Sequence, residues 1–346
     1  MGNILVTGGA GYIGSHTAVE LNQAGYVPII LDNFSNSDPV IIEGLKQILG
    51  YDPIVYQGDC NDWQQLKEIL KKHKIGGIIH FAAYKSVSES VSKPIDYYYN
   101  NINSLINMIR MMGEGEINNL VFSSSCSVYG EPDIFPVTEN SPLKKAVSPY
   151  GNTKQVCEQI LEDFYNSQPG IKSISLRYFN PIGAHHSSLI GELPLGVPDN
   201  LVPYVTQTAA GIRKTLTIFG NNYNTPDGTC IRDYIHVVDL AQAHVKALDF
   251  LQKQESINYY DVFNIGTGKG DTVLEIVQKF ETSTNQKINY VFGDRRPGDV
   301  EKVFASVDKA KNVLKWRSEL TTEQALIDAW NWQQKLPIHS KLHVKE

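Results

Sequence analysis

Residues 148–161 read SPYGNTKQVCEQIL and place Tyr150 four positions before Lys154. An α-helix completes a turn in about 3.6 residues, so the phenol and the ammonium project from one helix face. A free phenol titrates near pH 10 and acts as a base at neutral pH only with help. A neighbouring ammonium favours the phenolate electrostatically, which suits an acid/base for alcohol–ketone chemistry. The simple alternative is a surface Tyr–Lys pair. Whether the pair does chemistry depends on the elements that position it.

Residues 3–7, NILVT, are a short apolar run leading into GGAGYIG. That turn holds G-x-G-x-x-G at Gly9, Gly11 and Gly14, and G-x-x-G-x-x-G counted from Gly8. A helical pattern follows and closes at Gly25, and a second apolar run, VPIILD, ends at Asp32, 18 residues beyond Gly14. Strand, glycine turn, helix, strand and terminal acid make the dinucleotide-binding fingerprint. The glycines let the backbone approach a pyrophosphate, and the helix N-terminus supplies N–H groups and a positive dipole end. Asp32 can accept from ribose hydroxyls and repels a 2′-phosphate, which points to NAD rather than NADP.

The alternation continues. PIVYQGD (53–59) reads as a strand backed by a helix to about Lys72. GGIIHFAA (76–83) and NNLVFSSS (118–125) are further apolar runs separated by a helix over roughly 94–113, and ISLRYFN (174–180) is another. This predicts an α/β fold with a doubly wound parallel (Rossmann) sheet, whose functional residues stand at strand carboxyl ends. Those ends are 81–85, 123–127 and 178–181, and the helix of Tyr150 starts beyond the second, facing the same cleft. Met108, Met111 and Met112 read as packing residues. After Asn180 the alternation breaks, with Pro or Gly at 181, 183, 191, 194, 196 and 198. HVVDLAQAHVKALDFL (236–251) looks like a returning amphipathic helix and DVFNIG (261–266) like another sheet strand. The expectation is a Rossmann domain over 1–180, with returning segments near 236–266, and a second, smaller α/β substrate domain over 181–346. The polar tail after Leu336 is expected to fray.

Of the 346 residues, 42% are hydrophobic and 20% charged, and the net charge is −6. That balance gives no electrostatic footprint for nucleic acid or an anionic membrane, so an anionic ligand must be held by individually placed groups. Cys60, Cys126, Cys157 and Cys230 are dispersed without a Cys-x-x-Cys pair, which suits reduced thiols better than a disulfide or zinc scaffold. No apolar run approaches the roughly 18 residues of a membrane span. MGNILVTGGAG lacks the basic region of a signal peptide, and Val6 stands where myristoylation requires Ser or Thr. A cytoplasmic protein is expected. His185, His186 and His236 fit no ligand set, and no metal is expected.

TGGAGYIGSH, Tyr150-x-x-x-Lys154 and the serine ending the intervening strand resemble the extended short-chain dehydrogenase/reductase superfamily. Within it, DNFSNS (32–37), FAAYKSVSESV (81–91), SSSCSVYG (123–130), LRYFNPIGAH (176–185), LTIFGNNYNTPDGT (216–229), RDYIHVVDLA (232–241) and RRPGDV (295–300) resemble the UDP-glucose 4-epimerases. The likeness runs from Asn3 to about Trp332.

The resemblance implies that Tyr150 takes the sugar 4-hydroxyl proton while hydride passes from C4 to NAD. It implies that Ser125 hydrogen-bonds the same oxygen, and that Lys154 lowers the tyrosine pKa and binds the nicotinamide ribose. A 4-keto sugar then turns over in the site and takes the hydride back on its opposite face, so NAD stays bound. Implied NAD contacts are Gly8, Gly11, Tyr12, Ile13, Gly14, Asp32, Asn33, Ser35, Asn36, Ser37, Asp59, Cys60, Phe81, Ala82, Lys85, Asn100 and Phe179, with the three catalytic residues. Implied UDP-sugar contacts are Lys85, Ser125, Ser127, Tyr150, Asn180, Asn200, Leu201, Thr217, Phe219, Arg232, Arg296, Asp299 and Val303. Arg232 and Arg296 suit the diphosphate, because guanidinium forks bind phosphate oxygens bidentately. The resemblance also implies a homodimer built from the helices near 94–113 and 150–167.

Val303 stands where, in the family, a Tyr closes the pocket to an N-acetyl group at the sugar 2-position and a small residue leaves space. The alternative is that Val303 only packs and Phe304 fills the gap. Three positions depart from the pattern: Asp199 replaces an Asn, Leu193 an acid and Ser127 a Thr. Nucleotide-sugar 4,6-dehydratases share the fold and Tyr-x-x-x-Lys but place Asp-Glu after the strand's Thr, whereas Ser125-Cys126-Ser127 offers no carboxylate. An NAD-sensing binding protein can dispense with the acid/base, yet Ser125, Tyr150 and Lys154 are all present.

Overall fold

The computed structural model describes residues 2–167, 170–296 and 299–336; the tail after Leu336, expected to fray, lies outside the described residues. The first elements are β1 (Asn3–Thr7), α1 (Tyr12–Gln23), β2 (Val27–Asp32), α2 (Val40–Leu49), β3 (Ile54–Gln57), α3 (Trp63–Lys72) and β4 (Ile75–His80). They are followed by α4 (Val87–Ser92), α5 (Pro94–Glu114), β5 (Asn119–Ser123), α6 (Pro149–Ser167) and β6 (Lys172–Tyr178). Next come β7 (Asn180–Ile182), α7 (Leu201–Ala209), β8 (Leu216–Phe219), β9 (Ile231–Arg232), β10 (Tyr234–His236), α8 (Val237–Lys253) and β11 (Tyr259–Ile265). The last are β12 (Asp271–Thr272), α9 (Val273–Thr284), β13 (Tyr290–Gly293), β14 (Lys302–Val303) and α10 (Thr322–Lys335).

Seven strands form one sheet in the order β3-β2-β1-β4-β5-β6-β11, and every neighbouring pair is parallel. These strands are apolar along most of their length because helices cover both faces. Alternate residues therefore serve different cores. Ile4 and Val6 face the layer shared with Leu240 and Leu248 of α8, whereas Leu5 faces the layer shared with Leu66 of α3 and Leu105 of α5. Met108, Met111 and Met112 are packed in that second layer. The strand order reverses between β1 and β4, so a crevice opens at their carboxyl ends, where ligands of such sheets bind.

The single strand expected over 174–180 is in fact two. β6 stays in the large sheet, whereas β7 pairs with β10. Phe179 is the joint: its N–H bonds Ile265, and the next N–H, of Asn180, bonds Asp233 instead. Pro181 has no N–H with which to continue the first ladder. Two further small sheets, β8 with β13 and β12-β9-β14, flank a separate apolar cluster drawn largely from α7, α9 and α10.

Candidate active site

The glycine turn between β1 and α1 packs too closely for side chains at two points. Gly8 has φ +67°, and a Cβ there would lie 2.9 Å from the Ala82 nitrogen. A Cβ on Gly14 would lie 2.2 Å from the Gly8 carbonyl oxygen. The sequence needs glycine here because strand end, turn and helix nest backbone to backbone. Ala10 N–H donates to one Asp32 oxygen (2.9 Å), while Phe34 N–H (2.9 Å) and the Ser37 hydroxyl (2.8 Å) donate to the other. Asn33 reaches Asp59 (3.2 Å), and Asn61 links Asp59 to Asn100. Asp32, Asn33, Ser37, Asp59 and Asn100 thus form a continuous polar rim around the turn. Ser35 and Asn36 lie exposed in the loop after β2, and Tyr12 and Ile13 open α1. Cys60 is buried, and burial pushes its thiol up, which disfavours the reactive thiolate. A side-chain-free turn at a helix N-terminus with a carboxylate at the next strand end suits a dinucleotide such as NAD.

Tyr150 and Lys154 come from α6. Ser148 starts that helix by accepting from Gly151 N–H (3.1 Å), and Pro149 takes the first helical position, where no N–H is needed. Both side chains are buried, and the Lys154 ammonium lies 5.9 Å from the Tyr150 ring centre. Its hydrogen bond goes to the Ser123 carbonyl at the end of β5 (2.7 Å). Ser125, two residues further on, caps the short turn 126–129 by accepting from Ser127 N–H. The Ser127 hydroxyl is buried and makes no hydrogen bond within the protein. A buried hydroxyl of that kind needs a partner, and a sugar oxygen can supply one. Phe81 and Ala82 follow β4, the neighbour of β5 in the sheet, and Phe179 shares an apolar cluster with Val128 and Tyr129 of the turn after Ser125.

The remaining residues expected to touch a sugar nucleotide fall into three groups. Thr217 and Phe219 alternate on the open face of β8, with Leu216 and Ile218 turned to the core; the Arg296 guanidinium lies 4.0 Å over the Phe219 ring. Arg232 faces Asp299 (3.7 Å) and pairs in register with Val303 across β9 and β14. Asn200, beside Leu201 at the start of α7, does not cap that helix; its amide donates to Glu192 (2.6 Å), and Lys85 approaches the same carboxylate oxygen (3.5 Å). Asn180 stands in β7, held through its N–H to Asp233.

Sequence reasoning missed Glu192. Leu193 stands where the resemblance implies an acid, and the acid of this chain is one position earlier. Phe304 is engaged elsewhere, stacked on Phe135 with ring centres 5.8 Å apart, while Val303 is buried among Val128, Tyr129, Phe179 and Ala305.

A family model described as GDP-mannose 4,6 dehydratase matches residues 5–328. The chain is 47% identical over 334 residues to the UDP-glucose 4-epimerase of Pasteurella multocida (strain Pm70), covering 96% of this chain and 98% of that one. The chain belongs to the UDP-glucose 4-epimerase family. Two solved epimerase structures superpose closely. That of Stenotrophomonas maltophila, with bound NAD and formylated UDP-arabinopyranose, has a TM-score of 0.93 at 43% identity, with 96% and 98% of the two chains covered. That of Bifidobacterium longum, in complex with NAD+ and UDP, has a TM-score of 0.92 at 43% identity, with 97% and 99% covered.

Among the protein's own groups the Tyr150 phenol is pushed well above its ordinary value. Burial is the main cause and the Tyr178 hydroxyl adds to it, while Ser125 works in the opposite direction. Lys154 is itself lowered to about 8, by burial. In a desolvated site each charge needs a partner. A further positive charge against Tyr150, beside that of Lys154, would favour the phenolate.

Proposed function

We propose that this chain interconverts UDP-glucose and UDP-galactose by inverting C4 of the sugar, and acts likewise on UDP-N-acetylglucosamine and UDP-N-acetylgalactosamine. NAD, when bound, would supply the hydride acceptor and donor for C4, and a positive ring that adds to the Lys154 ammonium in favouring the Tyr150 phenolate. Gly8, Gly11 and Gly14 hold its pyrophosphate and Asp32 its adenosine ribose. Tyr150 removes the 4-hydroxyl proton and gives it back, Ser125 donates to the same oxygen, and Lys154 holds the nicotinamide ribose. Arg232 and Arg296 neutralise the UDP diphosphate, Thr217 and Phe219 brace the uracil, and Asn180, Asn200 and Ser127 orient the sugar. Residues 1–180 with the returning segments near 236–266 serve NAD, and the rest of 181–346 serves the sugar nucleotide.

The observation that carries this reading is the meeting of Ser125, Tyr150 and Lys154 at the end of β5, beside the crevice beyond β1 and β4. The second sugar pair rests on Val303, whose side chain is small, and on the engagement of Phe304 with Phe135. A homodimer is favoured by Ile95, Tyr99 and Ile106, which lie exposed along α5. Among the described residues no helix is long and apolar enough to cross a membrane. The test is incubation with UDP-galactose and no added reductant. UDP-glucose is the expected product; a 4-keto-6-deoxy sugar would indicate a dehydratase, and no product a binding protein.

A further inference from the structure

Tyr150, Lys154 and Glu158 recur every four residues along α6 and so share one stripe. Glu158 is buried, and its carboxylate is the centre of a network lying behind the catalytic group. The Ser124 hydroxyl donates to it at 2.5 Å, and the Arg177 guanidinium of β6 donates at 2.6, 3.0 and 3.2 Å. Ser124 is also held through its backbone, donating to the Leu176 carbonyl (2.9 Å). Arg177 reaches onward to the Tyr129 hydroxyl (3.1 Å), which donates to Asn264 of β11 (2.6 Å).

Ser125 lies between these attachments. Ser124 precedes it, and Tyr129 ends the turn that Ser125 caps. One buried ion pair therefore grips the catalytic serine's segment on both sides and ties it to the helix carrying Tyr150 and Lys154. Stability alone does not call for such a pair, since packed apolar residues of like volume serve as well in a protein interior. What the charged pair adds is direction: a carboxylate accepting four hydrogen bonds from three fixed donor groups leaves little freedom to the elements that bring them.

We propose that Ser124, Glu158 and Arg177 form a positioning unit that sets the distance between Ser125 and the Tyr150 phenol, and so governs turnover rather than substrate affinity. The inference rests on the catalytic roles proposed above for Ser125, Tyr150 and Lys154. None of the three positioning residues touches the reacting atoms; they act through Ser125 and α6.

Ser124→Ala removes one hydroxyl and leaves the ion pair intact. Its kcat for UDP-galactose is expected to fall about tenfold or more, with KM within about twofold of wild type, since small misplacements of a reacting group cost turnover. Retained NAD should be unchanged. The double variant Glu158→Leu/Arg177→Met keeps the site packed without charge, and is expected to melt cooperatively yet show the same loss confined to kcat. Wild-type kcat in both variants would overturn the proposal, and so would a rise in KM matching the fall in kcat. Wild-type protein inert on UDP-galactose would instead fail the epimerase reading itself, and with it the roles on which this unit depends.

Discussion

The Lys154 ammonium lies 2.7 Å from the Ser123 carbonyl oxygen, so the lysine beside the candidate base is anchored to the strand that presents Ser125. Its bond is to a neutral acceptor. The carboxylate next along the helix, Glu158, is committed to Arg177 and Ser124. Tyr150, His80 and Cys157 also lie near Lys154, and none of them is a carboxylate.

A pH dependence follows from that isolation. Burial lowers Lys154 to about 8. As pH rises through that value the lysine sheds its proton, and Tyr150 loses the charge that favours its phenolate. Turnover of UDP-galactose should therefore decline on the alkaline side of about pH 8. A kcat profile flat to pH 10 would remove Lys154 from its electrostatic role.

Acid stability should be governed by histidines that the fold keeps neutral. Burial depresses His16 and His80 to about 3 and His244 to about 4. The unfolded chain takes up protons near pH 6.5 that the folded protein refuses, so their contribution is complete above that pH and is lost as pH falls below it. The loss is at most about 1.4 kcal/mol per group for each pH unit. Melting temperature should drop steadily from pH 7 to 5, and an unchanged value over that range would contradict the burial of these rings as neutral species.

Substrate breadth should turn on one side chain. Val303→Tyr places a ring in the space proposed for the acetamido group, so activity on the acetylated pair should vanish while UDP-galactose is still converted. The comparison is the ratio of kcat/KM for UDP-galactose and UDP-N-acetylgalactosamine in both proteins. Equal loss on the two substrates would show that Val303 packs rather than selects.

The nucleotide half was legible because its signals are local. Glycines that cannot carry a Cβ, an acid at a strand end and a Tyr–Lys pair one turn apart are all short-range patterns. The change of sheet at Phe179 was not legible, since it depends on β10, more than fifty residues away, offering Asn180 a better partner. Glu192 escaped for a related reason: its importance lies in bringing Asn200 together with Lys85, 107 residues away from it in the chain. The burial of Tyr150 was not legible either, because the spacing to Lys154 reveals the charge but not the desolvation that opposes the phenolate.

The central claim is that Tyr150 moves the proton at the sugar 4-oxygen. Tyr150→Phe keeps the ring and its packing and removes only the hydroxyl. The decisive measurement is the rate of UDP-glucose formation from UDP-galactose by this variant and by wild type, alongside UDP-sugar binding by calorimetry. Turnover is predicted to fall by about 10²–10⁴-fold, the usual contribution of a general acid/base, with binding close to wild type. A Tyr150→Phe protein that converts UDP-galactose at nearly the wild-type rate would contradict the account.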